Sequence, residues 1–208
     1  MDRYVQLCDV AGNVSRETFS CLEWFESEFR RWSARINLAA PSTLPHIWSR
    51  HILDSAQLMP LAPNAKAWLD IGSGGGFPGA VVAILLKDRS GSAISLVESN
   101  RKKAAFLQTT LASAKTPATI FPIRIEDAAG KVPAPDIVTA RALAPLGLLL
   151  TLAEPWLSAG ARALFHKGRD YASEVEKCHD GWQFDLVEHR SEIDAESVIL
   201  DISGLKRR

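Results

Sequence analysis

The stretch Trp68-Leu69-Asp70-Ile71-Gly72-Ser73-Gly74-Gly75-Gly76-Phe77-Pro78-Gly79 constrains this chain most. A short apolar run ends in a turn with five glycines in eight residues, and an apolar helical pattern follows at once. Glycine loses more backbone entropy on folding than any other residue, so a plain strand-to-helix turn has no use for five. Glycines let the backbone take positive φ and let a flat ligand approach it, and Pro78 suits the start of the next helix. Two nucleotide-like ligands fit the spacing. Gly74-x-Gly76-x-x-Gly79 matches the dinucleotide fingerprint, a weak signal alone, while Asp70-x-Gly72-x-Gly74-x-Gly76 matches an acid followed by alternating glycines. Charge separates them. A pyrophosphate is repelled by an acid two residues before the first glycine, whereas the sulfonium and ammonium of S-adenosylmethionine are attracted to it. Asp70 is therefore expected to favour the sulfonium cofactor.

Downstream the pattern alternates. Strand-length runs at Ala67–Ile71, Ala93–Glu98, Thr119–Arg124, Asp136–Ala140 and Ala161–Lys167 are interleaved with helical stretches at Gly79–Lys87, Lys102–Ala114, Leu146–Trp156 and Asp170–His179. Such alternation predicts an α/β fold with helices on both faces of a parallel sheet. Trp182–His189 and Ser197–Ile202 have only a polar loop between them and read as an antiparallel pair closing the sheet. The expected class is Rossmann-like, with seven strands in the layout of a class I methyltransferase. Upstream, Phe19, Leu22, Phe25, Phe29 and Trp32 recur at steps of three and four behind Ser15, a plausible N-cap. A second helix is expected from Pro45 to Met59, with Ile47, Trp48, Ile52, Ser55, Leu58 and Met59 on its inner face. Residues 1–64 thus form a helical N-terminal extension, and residues 65–208 the catalytic domain.

A chain of 208 residues, 47% hydrophobic and 23% charged, can bury its own core. No run reaches membrane-span length, the N-terminus lacks a signal-peptide core, and Cys8, Cys21 and Cys178 share no metal-like spacing. The expectation is a cytoplasmic protein with reduced thiols and no metal, acting as a monomer. Net charge is zero, yet Asp180 to Asp201 holds seven acids against one base, leaving six surplus positive charges elsewhere. Arg30/Arg31/Arg35, Arg101/Lys102/Lys103, Lys167/Arg169 and Lys206/Arg207/Arg208 cluster, which permits a basic face for phosphate as readily as an ordinary solvated surface.

Glu98 ends the second strand, where a carboxylate can accept from both hydroxyls of a ribose. Arg124-Ile125-Glu126-Asp127 follows the third, where an adenine edge would lie. These features join an ordered series: Asn37-Leu38, Arg50-His51-Ile52-Leu53-Asp54-Ser55, the glycine loop ending Phe77-Pro78-Gly79, Arg101-Lys102-Lys103, Phe106-Leu107, Arg141-Ala142 and Lys167-Gly168. The series resembles the bacterial small-subunit ribosomal RNA guanine-N7 methyltransferases, the glucose-inhibited division protein B family, closely over about residues 35–170.

The resemblance implies S-adenosyl-L-methionine as cofactor, and contacts to it from Gly72, Phe77, Ile125, Glu126 and Arg141, with Asp70 at the family's acidic position and Gly74 in the loop. Glu98 would hold the ribose, though many relatives carry Asp there; the longer side chain could shift that contact without abolishing it. The partner implied is 16S ribosomal RNA or the small ribosomal subunit, methylated at a guanine of the decoding region. Guanine N7 already exposes a lone pair, so in-line transfer needs orientation and charge stabilisation rather than a general base. Arg141 and Lys167, at strand ends, are substrate-side candidates; Arg101, Lys102, Lys103, Lys167 and Arg207 are candidates for gripping RNA phosphate. The signature Arg50, His51 and Asp54 reads mainly as a helix docked against the cofactor loop. The competing functions are methyl transfer to another RNA or a small molecule, and, from a different class, a nicotinamide-dependent oxidoreductase, for which no substrate domain is in evidence.

Overall fold

The computed structural model describes residues 2–208. One seven-stranded sheet organises them, in the order β3-β2-β1-β4-β5-β7-β6. The strands are β1 (Ala67–Ile71), β2 (Ala93–Val97), β3 (Ala118–Phe121), β4 (Ile137–Arg141), β5 (Arg162–Lys167), β6 (Trp182–Arg190) and β7 (Val198–Arg207). The first five are parallel, and the β6–β7 hairpin adds antiparallel to β5. Chain order reverses between β1 and β4, the switch point at which open α/β sheets bind ligands beyond the carboxyl ends of their strands.

Side chains alternate along each strand and feed two cores. Trp68, Ile94, Leu96, Ile137 and Leu164 face one, and Leu69, Ile71, Val97, Val138 and Phe165 the other. The helices are α1 (Arg3–Ala11), α2 (Arg16–Ser33), the short α3 (Asp54–Ala56) and α4 (Leu58–Leu61), then α5 (Gly79–Leu85), α6 (Arg101–Ser113), α7 (Leu146–Leu157) and α8 (Tyr171–Cys178). Leu22, Phe25 and Phe29 of α2 share the first core with Ala80 of α5 and Phe106 and Leu107 of α6. The N-terminal extension therefore packs as a layer on the sheet domain, continuous with its core.

Ser15 caps α2, its hydroxyl accepting from the Thr18 amide at 3.1 Å. Helix α1, which the apolar periodicity does not announce, is capped by Asp2 and buries only Leu7 and Ala11. The expected single helix from Pro45 to Met59 is a correction. Pro41–His46 is a 3₁₀ segment containing Pro45, Trp48–Leu53 winds as a π-helix, and α3 and α4 follow as separate turns. Its inner face is nonetheless the expected one, with Ile47, Trp48, Ile52, Ser55, Leu58 and Met59 all buried. Two prolines account for part of the break: Pro45 has no amide to continue an α-helical ladder, and Pro60 is tolerated because it falls in the first turn of α4. Among the described residues, no helix is long and apolar enough to cross a membrane.

Candidate active site

Two clefts, each of about 500 Å³, open side by side at the carboxyl edge of the sheet. The first is built on the glycine loop. Gly72, Gly74 and Gly76 have φ of +67°, +55° and +94°, values that the loop reaches without Cβ strain. A Cβ at Gly74 would meet only the Gly72 carbonyl, so this glycine leaves open space where a ligand would lie. Glu98, at the tip of β2, is 8% exposed and crosses over the loop. Its carboxylate accepts from the Gly74 amide at 2.7 Å and the Asn100 amide at 2.6 Å. Ile123, Ile125 and Leu143 supply apolar wall, and Phe77, Lys103, Glu126 and Arg141 complete it. An acid able to grip a diol, an apolar slot for a flat base and an unfilled glycine cradle suit S-adenosylmethionine. Arg141 adds a buried Nη1 with no hydrogen-bond partner, a donor suited to an anionic end.

Asp70 needs a correction of role. It is 1% exposed and lies beneath the loop instead of lining the cleft. Thr139 Oγ1 donates to its Oδ1 at 2.7 Å, and its other oxygen faces Gly79. Burial pushes its pKa up to about 6, against the opposing pull of the polar groups of Ser73, Thr139 and Gly79 around it. Asp70 therefore positions the turn from below, without lining the cleft. An acid whose folded pKa is raised destabilises the fold once ionised. Its contribution is least favourable above about pH 6 and improves as pH falls from there towards 4. Two pKa units correspond to roughly 3 kcal/mol. Asp70→Asn is accordingly expected to flatten the rise in melting temperature on acidification across pH 6 to 4, followed by circular dichroism.

The second cleft lies over β4 and β5 and is lined by Arg50, Asp54, His166, Lys167, Asp194 and Ser197, among others. His51, Arg141 and Ala142 line both clefts and form the wall between them. His51 sits in the π-helical turn and stacks on Phe77 of the glycine loop, ring centroids 4.8 Å apart. Burial, reinforced by the Arg141 charge, lowers its pKa to about 4, so the ring is neutral at pH 7. π-Helical turns are rare and favour functional sites. Across this turn and the start of α3, the Arg50-His51-Ile52-Leu53-Asp54-Ser55 signature places His51 on the wall common to both clefts and Asp54 in the second. Arg141 at the tip of β4 meets Asp54 (Nε to Oδ2, 3.3 Å) and donates to the Arg50 carbonyl at 2.8 Å. Ala142 holds φ of +51°, which costs a non-glycine residue about 1 to 2 kcal/mol, at the point where the clefts meet. No short sequence pattern marks that strain.

The other candidates divide. Lys103 reaches the first cleft, while Arg101 and Lys102 stand exposed at the start of α6 on the same edge. Lys167 lines the second cleft but is held by Glu174 at 2.6 Å and the Ala144 carbonyl at 3.2 Å. Arg207 is placed elsewhere. Because β7 runs antiparallel to β5, its end lies at the opposite edge of the sheet. There Arg207 pairs with Glu154 at 2.5 Å and stacks over Trp182. Arg207 is thus held by strand and ion pair, and no residue of the basic C-terminal run lines either cleft.

The family described as rRNA small subunit methyltransferase G matches residues 19–197. The proteins named ribosomal RNA small subunit methyltransferase G from Chelativorans sp. (strain BNC1) and from Brucella canis are 64% and 58% identical to this chain. Each alignment covers 99% of it, and 98% and 97% of the relatives respectively. Among solved structures, magnesium protoporphyrin IX methyltransferase from Synechocystis PCC 6803 with bound SAM has a TM-score of 0.58 at 12% identity, covering 92% of this chain and 99% of that one. The cofactor-bound protein Rv0187 from MTB has a TM-score of 0.60 at 12% identity, covering 94% and 92%. At that identity the structural likeness speaks for the fold alone, a class I methyltransferase sheet.

Proposed function

The chain belongs to the rRNA small subunit methyltransferase G family, and from that premise we propose that it methylates N7 of one guanine in the decoding region of small-subunit ribosomal RNA. The observation that carries the proposal is the pair of adjoining clefts with a common wall of His51, Arg141 and Ala142. The glycine-loop cleft would hold S-adenosylmethionine, with Glu98 on the ribose, Ile125 and Glu126 beside the adenine, and Arg141 near its carboxylate. The neighbouring cleft would hold the base.

S-adenosylmethionine supplies an electrophilic methyl group on a cationic sulfur. The N7 lone pair forms the new N–C bond as the C–S bond breaks, and the bonding electrons leave on sulfur. No proton has to move. The residues therefore serve to align the reacting atoms and to exclude water. Neutral His51 adds no positive charge beside the purine as it becomes cationic. The chain is taken to act as a monomer in the cytoplasm.

The RNA would reach the clefts across a basic rim. Arg35, Arg50, Arg101, Lys102 and Arg124 are exposed and, among the described residues, free of ion pairs. The Arg101→Ala/Lys102→Ala double variant should weaken RNA binding and reduce the slope of log K against log salt by about 2, with cofactor affinity unchanged. A slope equal to that of the unmodified chain removes α6 from the RNA path.

The decisive experiment incubates the protein with methyl-labelled S-adenosylmethionine and small subunits from a strain lacking the enzyme, then maps the label. Label at N7 of a single guanine is expected. Label on another atom or another RNA overturns the proposal.

A further inference from the structure

Arg141 brings a permanent positive charge to the wall between the clefts, since a guanidinium does not lose its proton in a protein. Its side chain is only 20% exposed. The proposed reaction requires a cation on each side of that wall in turn, first the sulfonium and then the methylated purine. An uncompensated guanidinium there would oppose both.

Asp54 is the group that compensates it. The Asp54 side chain is 7% exposed, with Oδ2 3.3 Å from Arg141 Nε. Its other oxygen accepts from Gln57 Nε2 at 2.7 Å and lies 3.4 Å from Ser191 Oγ. Ser191 in turn accepts from the Ile193 and Asp194 amides, and Gln57 Oε1 accepts from the Glu192 amide. Asp54 is thus clamped from the β6–β7 loop and from its own turn, with the carboxylate held against Arg141. The remaining charges are less closely placed: Asp194 lines the second cleft and acts on Arg141 more weakly than Asp54, and Glu98 and Glu126 line the first cleft without an ion pair to Arg141. Arg50 gives Arg141 its carbonyl while its own side chain is exposed, and Lys103 stands on the opposite wall of the first cleft. His166 approaches Asp54 from β5 at 3.8 Å but is buried, which disfavours its charged form.

We propose that Asp54 is a positioning residue that cancels the charge of Arg141 and thereby lets the glycine-loop cleft accept a cationic cofactor. This rests on the placement of S-adenosylmethionine in that cleft. Its consequence is a preference, separable from stability and from activity. S-adenosylmethionine and S-adenosylhomocysteine share every group except the methyl and its positive charge. Loss of shape or of the fold weakens both alike, whereas loss of charge balance weakens only the cation.

The test is calorimetric titration of both ligands into the full-length protein. In Asp54→Asn the ratio of the S-adenosylmethionine Kd to the S-adenosylhomocysteine Kd should rise roughly tenfold. In the Asp54→Asn/Arg141→Gln double variant it should return towards the unmodified value. Arg141→Gln alone leaves the carboxylate unbalanced and should move the ratio the other way, so it carries the test even where Asp54→Asn does not fold. A ratio that stays constant in the folded variants overturns the proposal and leaves the cofactor assignment standing. An unmodified protein that binds neither ligand overturns both.

Discussion

Gly79→Ala is expected to lower stability by about 3 kcal/mol and to abolish cofactor binding in the fraction that remains folded. A Cβ at this position would lie 2.4 Å from Asp70 Oδ2 and 2.7 Å from its Cγ. The obstacle is a buried carboxylate fixed by Thr139, not the free end of a flexible chain. Either Asp70 breaks that hydrogen bond inside the core, or α5 lifts off β1. Helix α5 is buried at every residue from Gly79 to Leu85, so it has no solvent side towards which to move. Its displacement carries Pro78 and Phe77 with it and disturbs the loop that forms the first cleft. Gly147→Ala is the control. Its Cβ would make ordinary contact with Cys178 Sγ at 3.8 Å inside α7, and the change should be neutral or stabilising by up to about 1 kcal/mol. Urea unfolding followed by circular dichroism measures both. Equal midpoints for the two variants would remove the proposed packing of α5 on Asp70.

The second large effect is on affinity. Glu98→Ala should weaken S-adenosylmethionine binding about 100-fold, as expected from the loss of two charge-assisted hydrogen bonds. The carboxylate has two tasks. It holds the Gly74 and Asn100 amides, fixing the glycine loop against the start of α6, and it keeps lone pairs for a diol. Alanine abandons both and leaves two amides without their acceptor. Glu98→Gln keeps the shape and one accepting oxygen, so its loss should be intermediate. Calorimetry with the neutral product S-adenosylhomocysteine should show the same order, because the ribose is common to both ligands. A Kd unchanged in Glu98→Ala would move the ribose away from β2.

The features legible in the sequence are those that local chemistry dictates. The glycine loop, the capping by Ser15 and the five parallel strands are written in consecutive residues, and the ends of those five fell within a few residues of expectation, whereas β7 runs on past the expected Ile202 to Arg207. The β6–β7 pair was legible as antiparallel because its loop is too short for a crossover. What was not legible depends on distant partners. Asp54 and Arg141 are 87 positions apart and acquire a common role only because β4 ends beside the π-helical turn. Lys167 and Arg207 look alike in sequence, yet strand direction sends one to the clefts and the other to the far edge. Asp70 satisfies a charge argument that is sound for a surface acid, but its alternation along β1 points it into the first core, under the loop. Helix α1 escaped notice because it buries only two residues, too few to set a period.

The π-helical turn at Trp48–Leu53 has a consequence for how this protein can vary. An α-helical path through the same span needs one residue fewer per turn of hydrogen bonding. Deleting a single residue there would let the turn close to an α-helical path with its flanks near their present phase, and would remove the widened turn that carries His51 to the wall between the clefts. Phe25, Phe29 and Leu38, which floor the glycine loop, would keep their places. The extra residue in this segment therefore serves the site more than the fold, and a one-codon deletion should cost activity well before it costs stability.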